Sequence, residues 1–174
     1  MQQTICCFSG YRPEKMPADM AEGTPEFDRM LCRLRTAILR AAEQGYTVFL
    51  SGMSRGFDLW AAEVVLELQD RGLDIALWAA IAFHGMEQYW EPEWQARYDT
   101  ALRRARHTFA ICDRYEPGCY TRRDAFLVQR SSRCICFFDG VPGGTEYTVN
   151  AARRAGHTIV NLADNQLVLH EFRP

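Results

Sequence analysis

The chain has 174 residues, 48% hydrophobic and 24% charged, with a formal net charge of −2. That length suits one domain, residues 1–174, with a buried core, and the charge argues against a generally basic nucleic-acid binder. No apolar stretch approaches ~18 residues, so no membrane span is expected; the first residues lack a signal-peptide pattern, which makes a cytoplasmic protein the expectation.

Thr4–Ser9 (TICCFS) reads as a strand that stops at Gly10. A loop with Pro13, Pro17 and Gly23 follows. Thr24-Pro25-Glu26 opens a helix, with a capping hydroxyl, a proline at the first position and an acid in the first turn. Phe27, Met30, Leu31, Leu34, Ile38 and Ala41 keep one face of it apolar up to Gly45. Tyr46–Leu50 is the second strand. A helix from Phe57 to about Arg71 buries Trp60, Ala61, Val64, Val65 and Leu68, and Gly72 ends it. Leu73–Ala82 is the third strand, and an aromatic loop from His84 to Trp90 follows. Then come a helix over Glu93–Arg106, a strand over His107–Cys112, a loop over Arg114–Thr121 and a short helix over Arg122–Ser131. Arg133–Phe138 is a strand, Thr145–Ala155 a helix and His157–Leu162 the last core strand. Gln166–Phe172 offers a small edge element.

Near-continuous apolar strands alternating with helices imply a mainly parallel sheet covered on both faces. The expected class is α/β, a Rossmann-like doubly wound fold. The seven cysteines include no Cys-x-x-Cys, so neither a disulfide framework nor a zinc ribbon is implied. Cys6, Cys7, Cys112, Cys134 and Cys136 lie in strands as small core residues. Cys119, in a loop, is the expected accessible thiol.

In such a sheet, ligands bind beyond the carboxyl ends of the strands. There the sequence places three glycine-bearing turns: Ser9-Gly10-Tyr11-Arg12, then Ser51-Gly52-Met53-Ser54-Arg55-Gly56-Phe57-Asp58, then Asp139-Gly140-Val141-Pro142-Gly143-Gly144-Thr145. The last two lead straight into helices. Glycine admits close backbone approach, and the free amides at a helix start favour an anion. A phosphate is the natural guest, although a glycine pair also makes an ordinary tight turn. Thr145 can cap its own helix or donate to a ligand. Arg12 can clamp a phosphate or stand in solvent. Asp58 suits the helix dipole or a ribose hydroxyl. Arg123 and Asp124 open a helix from the crevice side, where an arginine at a helix start suits a ligand or carboxylate partner, or a plain surface pair. Trp90, with Tyr89 and Tyr120, can stack on a base or roof the core. Neither Gly-x-Gly-x-x-Gly after the first strand nor a Walker Gly-Lys-Ser/Thr occurs.

The stretches "SGYR", "SGMSRGFDLWAAEVVLEL", "RRDAFLVQRSSRCICFFDG" and "GGTEYTVNAARRAGHTIVNL" together resemble the YpsA-like family of the SLOG superfamily, which joins the Smf/DNA-processing proteins and the LONELY GUY enzymes. The resemblance implies a Rossmann-like fold and a nucleotide-derived ligand on the glycine turns. LONELY GUY enzymes cleave the N-glycosidic bond of nucleoside 5′-monophosphates with a glutamate in Pro-Gly-Gly-x-Gly-Thr-x-x-Glu and a separate arginine. Here that glutamate position holds Thr148, which cannot act as a carboxylate, and Glu146 lies about 200° around the helix from it. In the DNA-processing relatives a stretch like "SGMSRGFD" lines a single-stranded DNA site, with Arg55 the carried-over contact.

The function expected is binding of a nucleotide or nucleotide-derived small molecule by a sensor or regulatory module. Two alternatives stay open: a hydrolase or transferase acting on an N-glycosidic or phosphate bond, and a single-stranded nucleic-acid binder. No catalytic residue is assigned, no metal is called for, and no cofactor is required beyond a bound nucleotide or phosphate. The ligand-binding candidates are Gly10, Tyr11, Arg12, Ser51, Gly52, Arg55, Gly56, Asp58, Trp90, Arg123, Asp124, Asp139, Gly140, Gly143, Gly144 and Thr145. The partner expected is a small molecule, with nucleic acid and a homo-oligomer left open and no membrane.

Overall fold

Six strands form one sheet in the computed structural model, which describes residues 4–163. They are β1 (Thr4–Ser9), β2 (Tyr46–Ser51), β3 (Ala76–Phe83), β4 (His107–Cys112), β5 (Arg133–Cys136) and β6 (Thr158–Asn161). Every neighbouring pair is parallel, in the order β4-β3-β2-β1-β5-β6. The connecting helices are α1 (Pro25–Glu43), α2 (Phe57–Asp70), α3 (Pro92–Arg104), α4 (Cys119–Arg130) and α5 (Gly144–Arg154). The doubly wound α/β fold read from the sequence is the fold observed. The edge element expected over Gln166–Phe172 lies outside the described residues.

Alternation along each strand divides the core into two layers. Cys6, Phe8, Phe49 and Ile135 face the layer that contains α1, α2 and α3. Ile5, Cys7, Val48, Leu50, Cys134 and Cys136 face the layer closed by Leu127 and Val128 of α4 and Val149 and Ala152 of α5. Helix α1 starts as its sequence dictates: Thr24 Oγ1 accepts the Phe27 amide at 3.2 Å, and Pro25 fills the first turn. Helix α2 is the most enclosed, from Phe57 at 0% exposure to Leu68 at 3%. Burying each such side chain stabilises the fold by ~1.5–3 kcal/mol.

Among the boundaries that differ from the sequence reading, three have a visible cause. β5 stops at Cys136, because the side chain of Asn161 takes over the backbone of Phe138, accepting its amide at 3.0 Å and donating to its carbonyl at 2.7 Å. β3 begins at Ala76, because residues 73–75 fold into a turn in which the Leu73 amide bonds the Leu68 carbonyl. α4 begins three residues early, at Cys119, after Gly118 turns the chain with φ 84°. Cys119 is therefore fully buried and is not the accessible thiol. Cys32, on α1, is the exposed cysteine, while the five strand cysteines are buried.

Among the described residues no helix is long and apolar enough to cross a membrane.

Candidate functional site

β1 has β2 on one side and β5 on the other, so the strand order reverses here and a crevice opens at its carboxyl end. A cavity of about 390 Å³ fills this crevice, a size in the small-molecule range. Its wall comes from four places: the segment after β1 (Ser9 to Arg12, with Lys15), the start of α2 (Ser54 and Asp58), α4 (Tyr120, Thr121, Arg123 and Asp124) and the entry to α5 (Val141 to Thr145).

The turn after β2 is built around Ser51. Its hydroxyl donates to the Asp58 carbonyl at 2.9 Å and accepts the Met53 amide at 3.1 Å. These bonds hold Met53, a non-glycine residue, at φ 62° in a fully buried position, a conformation that costs on the order of 1–2 kcal/mol. Gly56 lies at φ 86°, and a side chain there would sit 2.5 Å from the Tyr11 carbonyl. The turn after β5 is braced from both sides. Tyr11 Oη donates to Asp139 Oδ1 at 2.8 Å and accepts the amides of Asp139 and Val141 at 3.0 and 3.1 Å. Burial, with the Asp139 carboxylate beside it, pushes the Tyr11 hydroxyl above its ordinary pKa.

The floor of the cavity is ionic and buried. Arg123 donates to the Gly52 carbonyl at 2.6 Å, to Ser54 Oγ at 3.1 Å and to Asp124 Oδ1 at 2.9 Å. Asp58 Oδ2 accepts the Ser54 amide at 3.4 Å. Burial pushes the Asp58 carboxyl up to about 6; the Asp124 charge adds to this and Arg123 opposes it. Burial likewise raises Asp124, against the pull of Arg123 and the Thr148 hydroxyl. Burial disfavours the charge on Arg123, but Asp124 and Asp58 outweigh it and its pKa rises.

The rim is cationic. Arg12 and Lys15 line the cavity and form no ion pair among the described residues. Lys15 Nζ lies 3.0 Å from where a side chain on Gly143 would begin, directly over the entry to α5. There the amides of Gly144, Thr145 and Glu146 precede the first helical bond, from the Tyr147 amide to the Gly143 carbonyl at 3.1 Å. Thr145 does not cap α5: the N-cap residue is Gly143, and no side chain caps it. Thr145 lines the cavity, and its hydroxyl forms no hydrogen bond among the described residues.

The structure thus brings Gly10, Tyr11, Arg12, Asp58, Arg123, Asp124, Gly143, Gly144 and Thr145 to one cavity. The other candidates stand behind it or away from it. Ser51, Gly52, Gly56, Asp139 and Gly140 shape its turns without lining it. Arg55 is held by Glu14 and by Glu91 at 3.5 Å, outside the cavity wall. Trp90 packs edge-on against Tyr98, with ring centres 5.5 Å apart, because it closes the core above α3. Tyr89 is 91% exposed. Sequence reasoning missed Lys15, and it named Ser9 and Ser54 only as members of the glycine turns and not as binding candidates. Lys15 follows Arg12 by three residues in a proline-flanked segment, a spacing that could have paired them.

The family model YpsA, described as the YspA SLOG family, matches residues 6–163. The chain belongs to the YspA SLOG family. A UPF0398 protein of Bacillus thuringiensis strain Al Hakam is 27% identical over 155 residues, covering 87% of this chain and 84% of its own. Two solved structures share the fold. DNA processing protein A from Helicobacter pylori, described for its single-stranded DNA binding mode, aligns with a TM-score of 0.61 at 14% identity, over 99% of this chain and 75% of its own. DNA processing protein A (DprA) from Streptococcus pneumoniae aligns at 0.59 and 13% identity, over 97% of this chain and 56% of its own. The family read from the four sequence motifs is borne out. In this SLOG chain Thr148 is 1% exposed, and its hydroxyl donates to the Gly144 carbonyl at 2.9 Å. The residue at the LONELY GUY glutamate position is therefore a helix-internal brace.

Proposed function

We propose that this SLOG chain binds a nucleotide or nucleotide-derived small molecule in the crevice between β1 and β5, as a sensor or regulatory module. One observation carries the reading: two cations that form no ion pair among the described residues, Arg12 and Lys15, converge with the open amides of α5 on one cavity. A phosphate there meets charge, amide donors and the helix dipole together. Membership of the SLOG family supports the same broad role.

The nucleic-acid reading draws on the DNA-processing structures, which share the fold. Arg55, its carried-over contact, already carries two glutamates here. A catalytic reading draws on the Asp58 carboxyl, pushed up to about 6 on the floor. Against it stands Thr148, which has no carboxylate.

Isothermal titration with AMP and adenosine tests the proposal. AMP binds and adenosine binds far more weakly. Arg12→Ala weakens AMP by ~10- to 100-fold, the size of a charge-assisted bond, and adenosine hardly at all. Equal losses for both ligands would remove Arg12 from phosphate recognition. No binding of AMP or any other phosphate ester would overturn the reading.

A further inference from the structure

The cavity has little to offer a base. The guanidinium groups of both Arg12 and Arg123 lie over the Tyr120 ring, each 5.5 Å from its centre, and Phe83 meets that ring edge-on. Tyr11 is 2% exposed, with its hydroxyl committed to the turn after β5. Phe8 is fully buried and stacks on Phe49. Tyr11 and Phe8 are thus closed to a base, and Tyr120 already carries two guanidinium groups where a base would stack.

For a sugar phosphate the cavity is well furnished. Asp58 is 6% exposed; its Oδ2 takes the Ser54 amide, while Oδ1 has no hydrogen bond among the described residues. Ser9 and Thr145 are 7% and 8% exposed, line the same cavity, and carry hydroxyls with no hydrogen bond among the described residues. All three residues line the cavity, so these oxygens are available to a polar guest. Arg123 joins the two ends of the site. It touches the Asp58 side through Gly52 and Ser54, and it holds Asp124, whose Oδ2 lies 3.5 Å from the side-chain position of Gly144.

We infer that the cavity reads the phosphoribosyl unit of its ligand and not the base. This rests on the nucleotide reading above and narrows it. The phosphate lies between Lys15, Arg12 and the amides of α5. The vicinal sugar hydroxyls donate to the free oxygen of Asp58, with Ser9 and Thr145 completing the polar wall. The base projects from the mouth. Free ribose 5-phosphate and the ribonucleoside 5′-monophosphates are then equivalent ligands.

The test titrates wild-type protein with ribose 5-phosphate, 2-deoxyribose 5-phosphate, AMP, GMP, CMP and UMP. Ribose 5-phosphate and the four nucleotides bind within about threefold of one another, and the deoxy sugar about 10-fold more weakly, the worth of one hydrogen bond to a carboxylate. Asp58→Asn closes the gap between the two sugars while phosphate binding persists. The wild-type series stands alone should that variant fold poorly. A preference of about 10-fold or more for one base, or equal affinity for ribose and deoxyribose esters, would overturn the inference and leave the nucleotide reading standing. Failure of every phosphate ester to bind would overturn both.

Discussion

In the turn from β2 into α2, a side chain on Gly52 would start 2.9 Å from Asp58 Oδ2 and 3.0 Å from the Arg123 guanidinium. In the turn from β5 into α5, a side chain on Gly144 would meet only Asp124 Oδ2, at 3.5 Å, an ordinary contact. Gly10, after β1, sides with the first case: its side chain would start 2.3 Å from the Phe57 ring. The space beside Gly10, Gly52 and Gly56 is filled by the protein itself. The space above Gly143 and Gly144 is bounded by Lys15 and left open. Glycines that look equivalent beside one crevice therefore divide into those that admit packing and those that admit a ligand.

Substitutions on each side of this divide have opposite consequences. Gly144→Val is expected to abolish nucleotide binding, a loss of at least ~100-fold, by placing methyl groups where the phosphate lies. Its backbone is not in the left-handed region, so the melting temperature changes little. Unchanged affinity by calorimetry would mean the open turn is not the anion site. Gly10→Ala acts on the fold. A Cβ driven into Phe57 displaces a fully buried ring at the start of α2 and destabilises the chain by about 3 kcal/mol. For a chain of this length that lowers the melting temperature by roughly 6–12 °C. A variant melting with the wild type would show that Phe57 can move aside and would blur the comparison.

The sequence made the fold legible for a plain reason. Its strands are short apolar runs, each closed by glycine or a polar turn, and each helix keeps a periodic apolar face. The misplaced boundaries came from side-chain bonds that no local pattern announces, such as Asn161 reaching the backbone of Phe138. The crevice was legible as an edge of the sheet, because position after a strand is a one-dimensional property. The partition of its residues was not. Arg12 and Arg55 look alike in sequence, each following a glycine turn. Only the folded chain makes ion pairs of Arg55 with Glu14 and Glu91 and leaves Arg12 on the cavity wall. Lys15 was hidden for the same reason: its place over Gly143 depends on a contact between residues 128 positions apart.

The ionic floor separates the two turns, and pH tests how it does so. Asp58 sits at about 6, against an ordinary value of 3.8, mainly because it is buried. Its folded-state pKa is raised, so the folded chain holds this proton more tightly than the unfolded chain. The stability it contributes is complete below pH ~3.8 and is lost as the pH rises to about 6. That displacement is worth up to about 3 kcal/mol. Asp58→Asn removes the titration while keeping the shape of the side chain. The melting temperature of the variant relative to wild type should therefore climb between pH 4 and pH 6.5, then level off. Asp124, raised in the same direction, is present in both proteins and largely cancels from the difference. A difference that stays flat across this range would place the Asp58 pKa near its ordinary value. It would mean that Arg123 fully offsets the burial of Asp58, and that its carboxylate stays ionised across this range.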